Sequence, residues 1–182
     1  VARTGAGVSE WKIGEKVTVR PLLPCKNCRT CNEGNSHICP KLKFIGVDLG
    51  GAMQPEWIVP AELLHRIPEQ ITLRQGALIE PLAVAIHDVR MADLDPTDVI
   101  TIVGAGPIGL LIGIVCVSRG HKTFITDIDQ TRLDVAKSHG MIPVAPDKVE
   151  AAAREATNGL GTDVVFEVSG SAGGATLIST IV

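Results

Sequence analysis

Three groups of residues in this chain have types and spacings suited to chemistry. The first is the run Val99-Ile-Thr-Ile-Val-Gly104-Ala-Gly106-Pro107-Ile108-Gly109, which leads into the apolar residues 110–117. Asp127 follows 18 residues after Gly109, at the end of a second β-like run, 122–126. Strand, glycine turn, helix, strand and acid in this order are the pattern of a dinucleotide-binding unit. Gly104 permits the tight turn, Gly106 lets the backbone approach a diphosphate, and Gly109 lets helix and strand pack closely. Pro107 suits a first helical turn, where its missing N–H has no partner to lose. The free N–H groups of that turn favour phosphate. Asp127 can accept hydrogen bonds from both hydroxyls of an adenosine ribose, and its charge repels a 2′-phosphate, so NAD is favoured over NADP. The competing reading is an ordinary tight turn between a strand and a helix. Arg132, one helical turn past Asp127, is suited to stacking on an adenine ring and equally to standing in solvent.

The second group is Cys25, Cys28, Cys31 and Cys39, spaced C-x2-C-x2-C-x7-C. Four thiolates in one loop can surround a tetrahedral zinc. A set of four cysteines leaves no position for water or substrate, so such a zinc is structural. Lys26, Arg29, Lys41 and Lys43 lie near enough in sequence to offset the negative shell. An iron–sulfur cluster, two disulfides and free thiols compete with zinc. His37 lies inside the loop and reads as an exposed loop residue. The third group is Glu80 alone. It sits before Pro81 in apolar surroundings, where a carboxylate is costly to bury unless it is paired or meets a metal. A functional role and a partnered structural one are evenly balanced on the residues alone. His87, seven residues on, reads as a core histidine, and His65, Asp48 and Glu56 read as structural or surface residues.

The elements that position these groups change character along the chain. Residues 1–68 carry short alternating β-like runs, at 16–20, 44–49, 56–60 and 63–68, with Pro21 and Pro24 interrupting regular structure. From Thr72 the period turns helical, with Gln75 completing a capping box by pattern and Pro81 interrupting the run. Beyond Val99, strands alternate with helices: a strand at 99–103, helices from Pro107 and Asp129, strands near 141–145 and 163–168, and an alanine-rich helix at 149–157. Such alternation predicts a parallel doubly wound sheet. Cys116 reads as a small buried hydrophobe.

The chain has 182 residues, a net charge of −3 and 3% aromatic residues. It has no basic run, so nucleic acid is not an expected partner. Residues 110–117 are far short of the ~20 apolar residues that span a membrane. The chain lacks an initiator methionine and reads as an interior piece of a longer protein. A nucleotide-binding unit, of a kind usually found inside cells, suggests a cytoplasmic setting.

The four-cysteine loop, the Glu80-Pro-Leu-Ala-Val helix and the Val-Gly-Ala-Gly-Pro-Ile-Gly turn occur in a specific order. The chain resembles the zinc-containing medium-chain dehydrogenase/reductase family, in its sorbitol (polyol), threonine and butanediol dehydrogenase branch, over nearly all of residues 8–170. The resemblance implies an α/β fold: part of a GroES-like β-rich catalytic domain at 1–87, then an incomplete Rossmann NAD-binding domain at 88–182. It implies that Cys25, Cys28, Cys31 and Cys39 hold the structural zinc, and that Ile108, Asp127 and Arg132 touch NAD. Glu80 stands where many alcohol dehydrogenases place a cysteine ligand of a catalytic zinc, and where the polyol branch has a glutamate. The resemblance makes Glu80 a candidate for both catalysis and zinc contact. The rest of that catalytic zinc's ligands, a Gly-His-Glu pair before Val1 and a cysteine further upstream, fall outside this sequence. The implied activity is hydride transfer from a secondary alcohol or polyol to NAD, in a homo-dimer or homo-tetramer, with two zinc ions per complete subunit. A non-catalytic, NAD-binding, zinc-stabilised module is the alternative, and a zinc-free quinone reductase relative is disfavoured by the cysteine loop.

Overall fold

The computed structural model describes residues 1–182, which divide into two compact units, Val1–Glu80 and Pro81–Val182. The first unit is β-rich and built from short pieces. Strand β1 (Val17–Val19) alternates polar and apolar side chains, and β2 (Leu22–Leu23) follows between the two prolines. A one-turn helix α1 (Arg29–Asn32) and a 3-10 turn (Ser36–Ile38) lie inside the cysteine loop. Strand β3 (Lys43–Phe44) pairs antiparallel with β2, and β4 (Leu64–Arg66) pairs antiparallel with β1. Trp11, Ile45, Leu63 and Ile67 are buried here, and the indole Nε1 of Trp11 donates to the Ala61 carbonyl.

Three expectations fail in this unit, the first being the run 44–49, which leaves β3 after Phe44 and turns at 46–48. Residues 56–60 form no strand, because no neighbouring strand offers them a ladder. Leu22 and Leu23 do form one, since Pro21 and Pro24 flank the pair without removing either of its N–H groups.

The capping box forms as its pattern predicts. The Thr72 hydroxyl accepts from the Gln75 N–H at 3.2 Å, and the Gln75 side chain accepts from the Thr72 N–H at 2.9 Å. It starts a single turn, α2 (Leu73–Gly76), and a separate helix α3 runs over Ile79–Met91. The break therefore falls at Ala77–Leu78, and Pro81 sits in the first turn of α3, where its missing N–H costs nothing. Ala85 and Val89, four residues apart, form the buried stripe of α3. His87 lies on another face and is exposed, which corrects its reading as a core histidine. Leu73, Leu78 and Ile86 are exposed as well. We expect Thr72→Ala to lower stability by about 1 kcal/mol, seen as a lower urea midpoint with an unchanged slope.

The second unit is a four-stranded parallel sheet. Strand β5 (Val99–Val103) is buried along its whole length, as a continuous β-branched run covered on both faces should be. Helix α4 (Pro107–Ser118) is apolar all round and buries Gly109, Ile112, Gly113, Val115 and Cys116. Then come β6 (Lys122–Thr126), α5 (Gln130–Ser138), β7 (Ile142–Pro143), α6 (Val149–Ala156), β8 (Val164–Glu167) and α7 (Ala172–Ile181). The strand order is β7-β6-β5-β8. The chain steps outward from β5 through β6 to β7, then returns to the other side of β5. That reversal opens a crevice between the carboxyl ends of β5 and β8, the place where open α/β sheets take their ligands.

Candidate functional site

The cysteine spacing becomes a cage through local geometry. Cys28 precedes α1 and Cys31 lies three residues on, so a single turn brings both sulfurs to one side. Lys26 adopts a left-handed backbone (φ +60°), which folds Cys25 back towards them. The 3-10 turn over Ser36–Ile38 returns the chain and presents Cys39. The sulfur separations are 3.5 Å for Cys28–Cys31, 3.5 Å for Cys25–Cys39 and 3.9 Å for Cys28–Cys39. A tetrahedron with ~2.3 Å from centre to sulfur has edges of about 3.8 Å, so the four sulfurs already stand at zinc-binding distances. All four thiols are free, and His37 is exposed outside their group.

The charge around the cage differs from the sequence expectation. Lys26 pairs with Glu62, and Arg29 pairs with Glu33 at 2.6 Å, so both cations are already engaged. A backbone group supplies a donor instead: the Lys41 N–H donates to Cys39 Sγ at 3.3 Å. The thiols also differ from one another. The Asn27 N–H beside Cys25 brings its pKa down to about 6 against the opposing effect of burial, while burial pushes Cys31 up to about 11.

The glycine turn lies at the carboxyl end of β5. Gly104 has φ +108°, and a Cβ there would stand 2.8 Å from the backbone nitrogen of Ser169. A Cβ on Gly109 would stand 1.9 Å from the Gly104 carbonyl oxygen. Gly106 is different: it opens α4 at φ −69°, and nothing lies within 4 Å of its Cβ position. The N–H groups of Gly106, Ile108 and Gly109 donate to nothing within the chain. Three free donors at a helix N-terminus, with Pro107 between them, make an anion-binding cradle.

Asp127 borders that cradle. Its carboxylate accepts from the Ala105 N–H at 2.7 Å and the Asp129 N–H at 2.9 Å, tying the glycine turn to the end of β6. Burial acts to raise its pKa, but those N–H groups and the Arg132 guanidinium outweigh it and hold the carboxyl below its ordinary range. Arg132, about half exposed, lies 3.7 Å from both Asp127 and Asp129. Asp129 caps α5 by accepting from the Thr131 and Arg132 N–H groups. The sequence reading missed Asp127's second job, which is to brace the turn it borders. It also missed the β8 end: Glu167 Oε1 accepts from the Ser169 N–H at 2.9 Å and from the Ser169 hydroxyl at 2.5 Å. A charged residue inside Val164-Val-Phe-Glu167-Val168 was the available signal.

Glu80 lies in the first unit, half-buried, and lines a cleft of about 1080 Å³ with Thr18, Phe44, Trp57 and Leu64. No hydrogen bond or ion pair within the chain engages its carboxylate. Apart from the four sulfurs, no three His, Cys, Asp or Glu side chains converge. Cys25, Cys28, Cys31 and Cys39 are thus the group in this chain that could hold a metal by itself. No helix is long and apolar enough to cross a membrane.

Comparison with known proteins matches two family models. "Alcohol dehydrogenase GroES-like domain" covers residues 1–69, and "Zinc-binding dehydrogenase" covers residues 107–179. A 2-dehydro-3-deoxy-L-galactonate 5-dehydrogenase of Pseudoalteromonas atlantica is 45% identical over 172 residues, covering 93% of this chain and 50% of that protein. D-xylulose reductase A of Aspergillus niger is 34% identical over 180 residues, covering 94% and 50%. A Sinorhizobium meliloti protein described as a zinc-binding dehydrogenase, solved with NADP bound, superimposes with a TM-score of 0.88 at 30% identity, covering 96% of this chain and 53% of that one. The chain spans about half the length of the curated relatives it matches.

Proposed function

The chain belongs to the zinc-containing medium-chain dehydrogenase/reductase family, in its polyol dehydrogenase branch, and from that premise we propose that the protein oxidises a secondary alcohol or polyol with NAD. NAD, when bound, would accept the hydride released as the carbinol C–H bond breaks, while the hydroxyl proton would pass to water as the carbonyl forms. The observation that carries this reading is the cradle of free Gly106, Ile108 and Gly109 N–H groups bordered by the Asp127 carboxylate.

In this reading each residue has a defined task. The cradle N–H groups take the diphosphate, and Gly104 and Gly109 keep the turn close enough to do so. Asp127 takes the adenosine ribose hydroxyls with the lone pairs that Ala105 and Asp129 leave free. Arg132 covers the adenine ring. Glu80, unpartnered in its cleft, orients a substrate hydroxyl or a water. The four sulfurs hold a structural zinc, which they fit by spacing. The catalytic zinc of the family does not find its ligand set in these residues. The family resemblance extends the proposal to a homo-dimer or homo-tetramer in the cytoplasm.

Cofactor choice tests this reading. In the full-length protein, Asp127→Ser should cut the preference for NAD over NADP by about 100-fold, because hydrogen bonds to a charged acceptor worth ~1.5–3 kcal/mol are lost along with the repulsion of a 2′-phosphate. The measurement is kcat/KM for both cofactors at fixed salt. An unchanged ratio in a folded variant removes Asp127 from the ribose site.

A further inference from the structure

We propose that Glu167 is a positioning residue for the nicotinamide half of the cofactor, holding the turn 169–171 at the crevice between β5 and β8. This inference rests on the dinucleotide reading above. With the adenosine ribose at Asp127, just past β6, and the diphosphate on the α4 cradle beyond β5, the remaining half continues towards β8, the next strand in the sheet. The turn that leaves β8 is what it meets there.

The turn is organised by one carboxylate. Glu167 Oε1 accepts from both the N–H and the hydroxyl of Ser169. With its proton committed to Glu167, Ser169 Oγ is left as an acceptor, and it takes the Ser171 N–H at 3.2 Å and the Ser171 hydroxyl at 2.9 Å. Ser171 Oγ in turn accepts the Gly174 N–H at 3.0 Å, capping α7. The hydroxyls thus point one way, from Ser171 to Ser169 to Glu167. The Gly170 N–H, between the two serines, has no partner in the chain, and Gly170 has φ +64°. It is the donor that the fixed turn offers.

Two close approaches keep the turn in place. The Cβ position of Gly104 is 2.8 Å from Ser169 N, and that of Gly174 is 2.5 Å from Glu167 Oε1. The carboxylate therefore sits against α7 while the turn it holds sits against the glycine turn of the cradle. Ser169 and Ser171 are exposed, so the turn is open to a ligand.

The test uses the full-length, zinc-loaded protein and two probes, NADH and AMP, the second reporting on the Asp127 side alone. Glu167→Ala should weaken NADH about tenfold and leave AMP binding unchanged. Glu167→Gln, which keeps an oxygen acceptor, should restore NADH affinity to within about threefold of the native protein. Equal losses of NADH and AMP in Glu167→Ala, or no loss of NADH, overturn the assignment. Native protein that binds neither probe overturns the cofactor reading itself, and this inference with it.

Discussion

Replacing Gly109 by alanine should cost on the order of 3 kcal/mol of stability, the size of a severe steric insertion into a packed interior. It should abolish cofactor binding as a consequence. The added Cβ would sit 1.9 Å from the Gly104 carbonyl oxygen and 3.0 Å from Val168 Cγ2. Neither neighbour can give way cheaply. Gly104 is pinned by its N–H bond to the Thr126 carbonyl at 2.8 Å, and its own Cβ position already meets Ser169. Gly106→Ala is the contrasting substitution. Its φ of −69° suits any residue and its Cβ position is open, so the fold should be unaffected. The methyl would instead occupy the space above the free N–H groups, where the diphosphate is proposed to lie, and NADH should bind at least tenfold more weakly. Thermal unfolding and NADH titration of the two variants separate the roles. An unaltered Tm for Gly109→Ala contradicts the packing account. Unaltered NADH affinity for Gly106→Ala contradicts the cradle.

These two glycines also show what was legible in the sequence. Gly109 packs helix against strand as its place in the motif demands, because a β-branched strand, a turn and an apolar helix specify one another locally. The capping box at Thr72 and Gln75 was legible for the same reason: its partners are three residues apart. Contacts across long separations were not. The approach of Gly104 to Ser169 joins residues 65 apart in sequence, and nothing in either neighbourhood announces it. The reading of His87 failed because the face of a helix that becomes buried depends on what packs against it, and here only Ala85 and Val89 are covered. Residues 56–60 have a strand's composition without a strand's partner, and β propensity expresses itself only where a neighbouring strand completes the ladder. The charge balance at the cysteines was misjudged in part in a similar way, since Glu62 and Glu33 claim Lys26 and Arg29, two of the four cations that proximity in sequence assigned to the sulfurs.

The cysteine cage supports the other large expected effect. Cys39→Ser should remove one bound zinc per chain and unfold residues 25–43 locally. Cys39 is the most buried of the four, lies 3.5 and 3.9 Å from two of the other sulfurs, and is the one that takes the Lys41 N–H. Apart from two short turns and two-residue strands, little regular structure holds this loop. The metal term is therefore its main source of order, and structural zinc sites contribute about 10–16 kcal/mol of apparent binding energy. Acid should act in the same direction as the substitution. Zinc binds thiolates, so binding at neutral pH must expel the proton from Cys31, near 11 without metal, whereas Cys25, near 6, has already lost its own. Zinc affinity should fall as pH falls, and fall more steeply below about 6, where Cys25 takes up a proton as well. Zinc content by mass spectrometry across a pH series, with limited proteolysis of residues 25–43, reads both effects. Native zinc content in folded Cys39→Ser, or retention that is flat from pH 8 to about 5 in the presence of a chelator, would show that the four sulfurs do not form the cage.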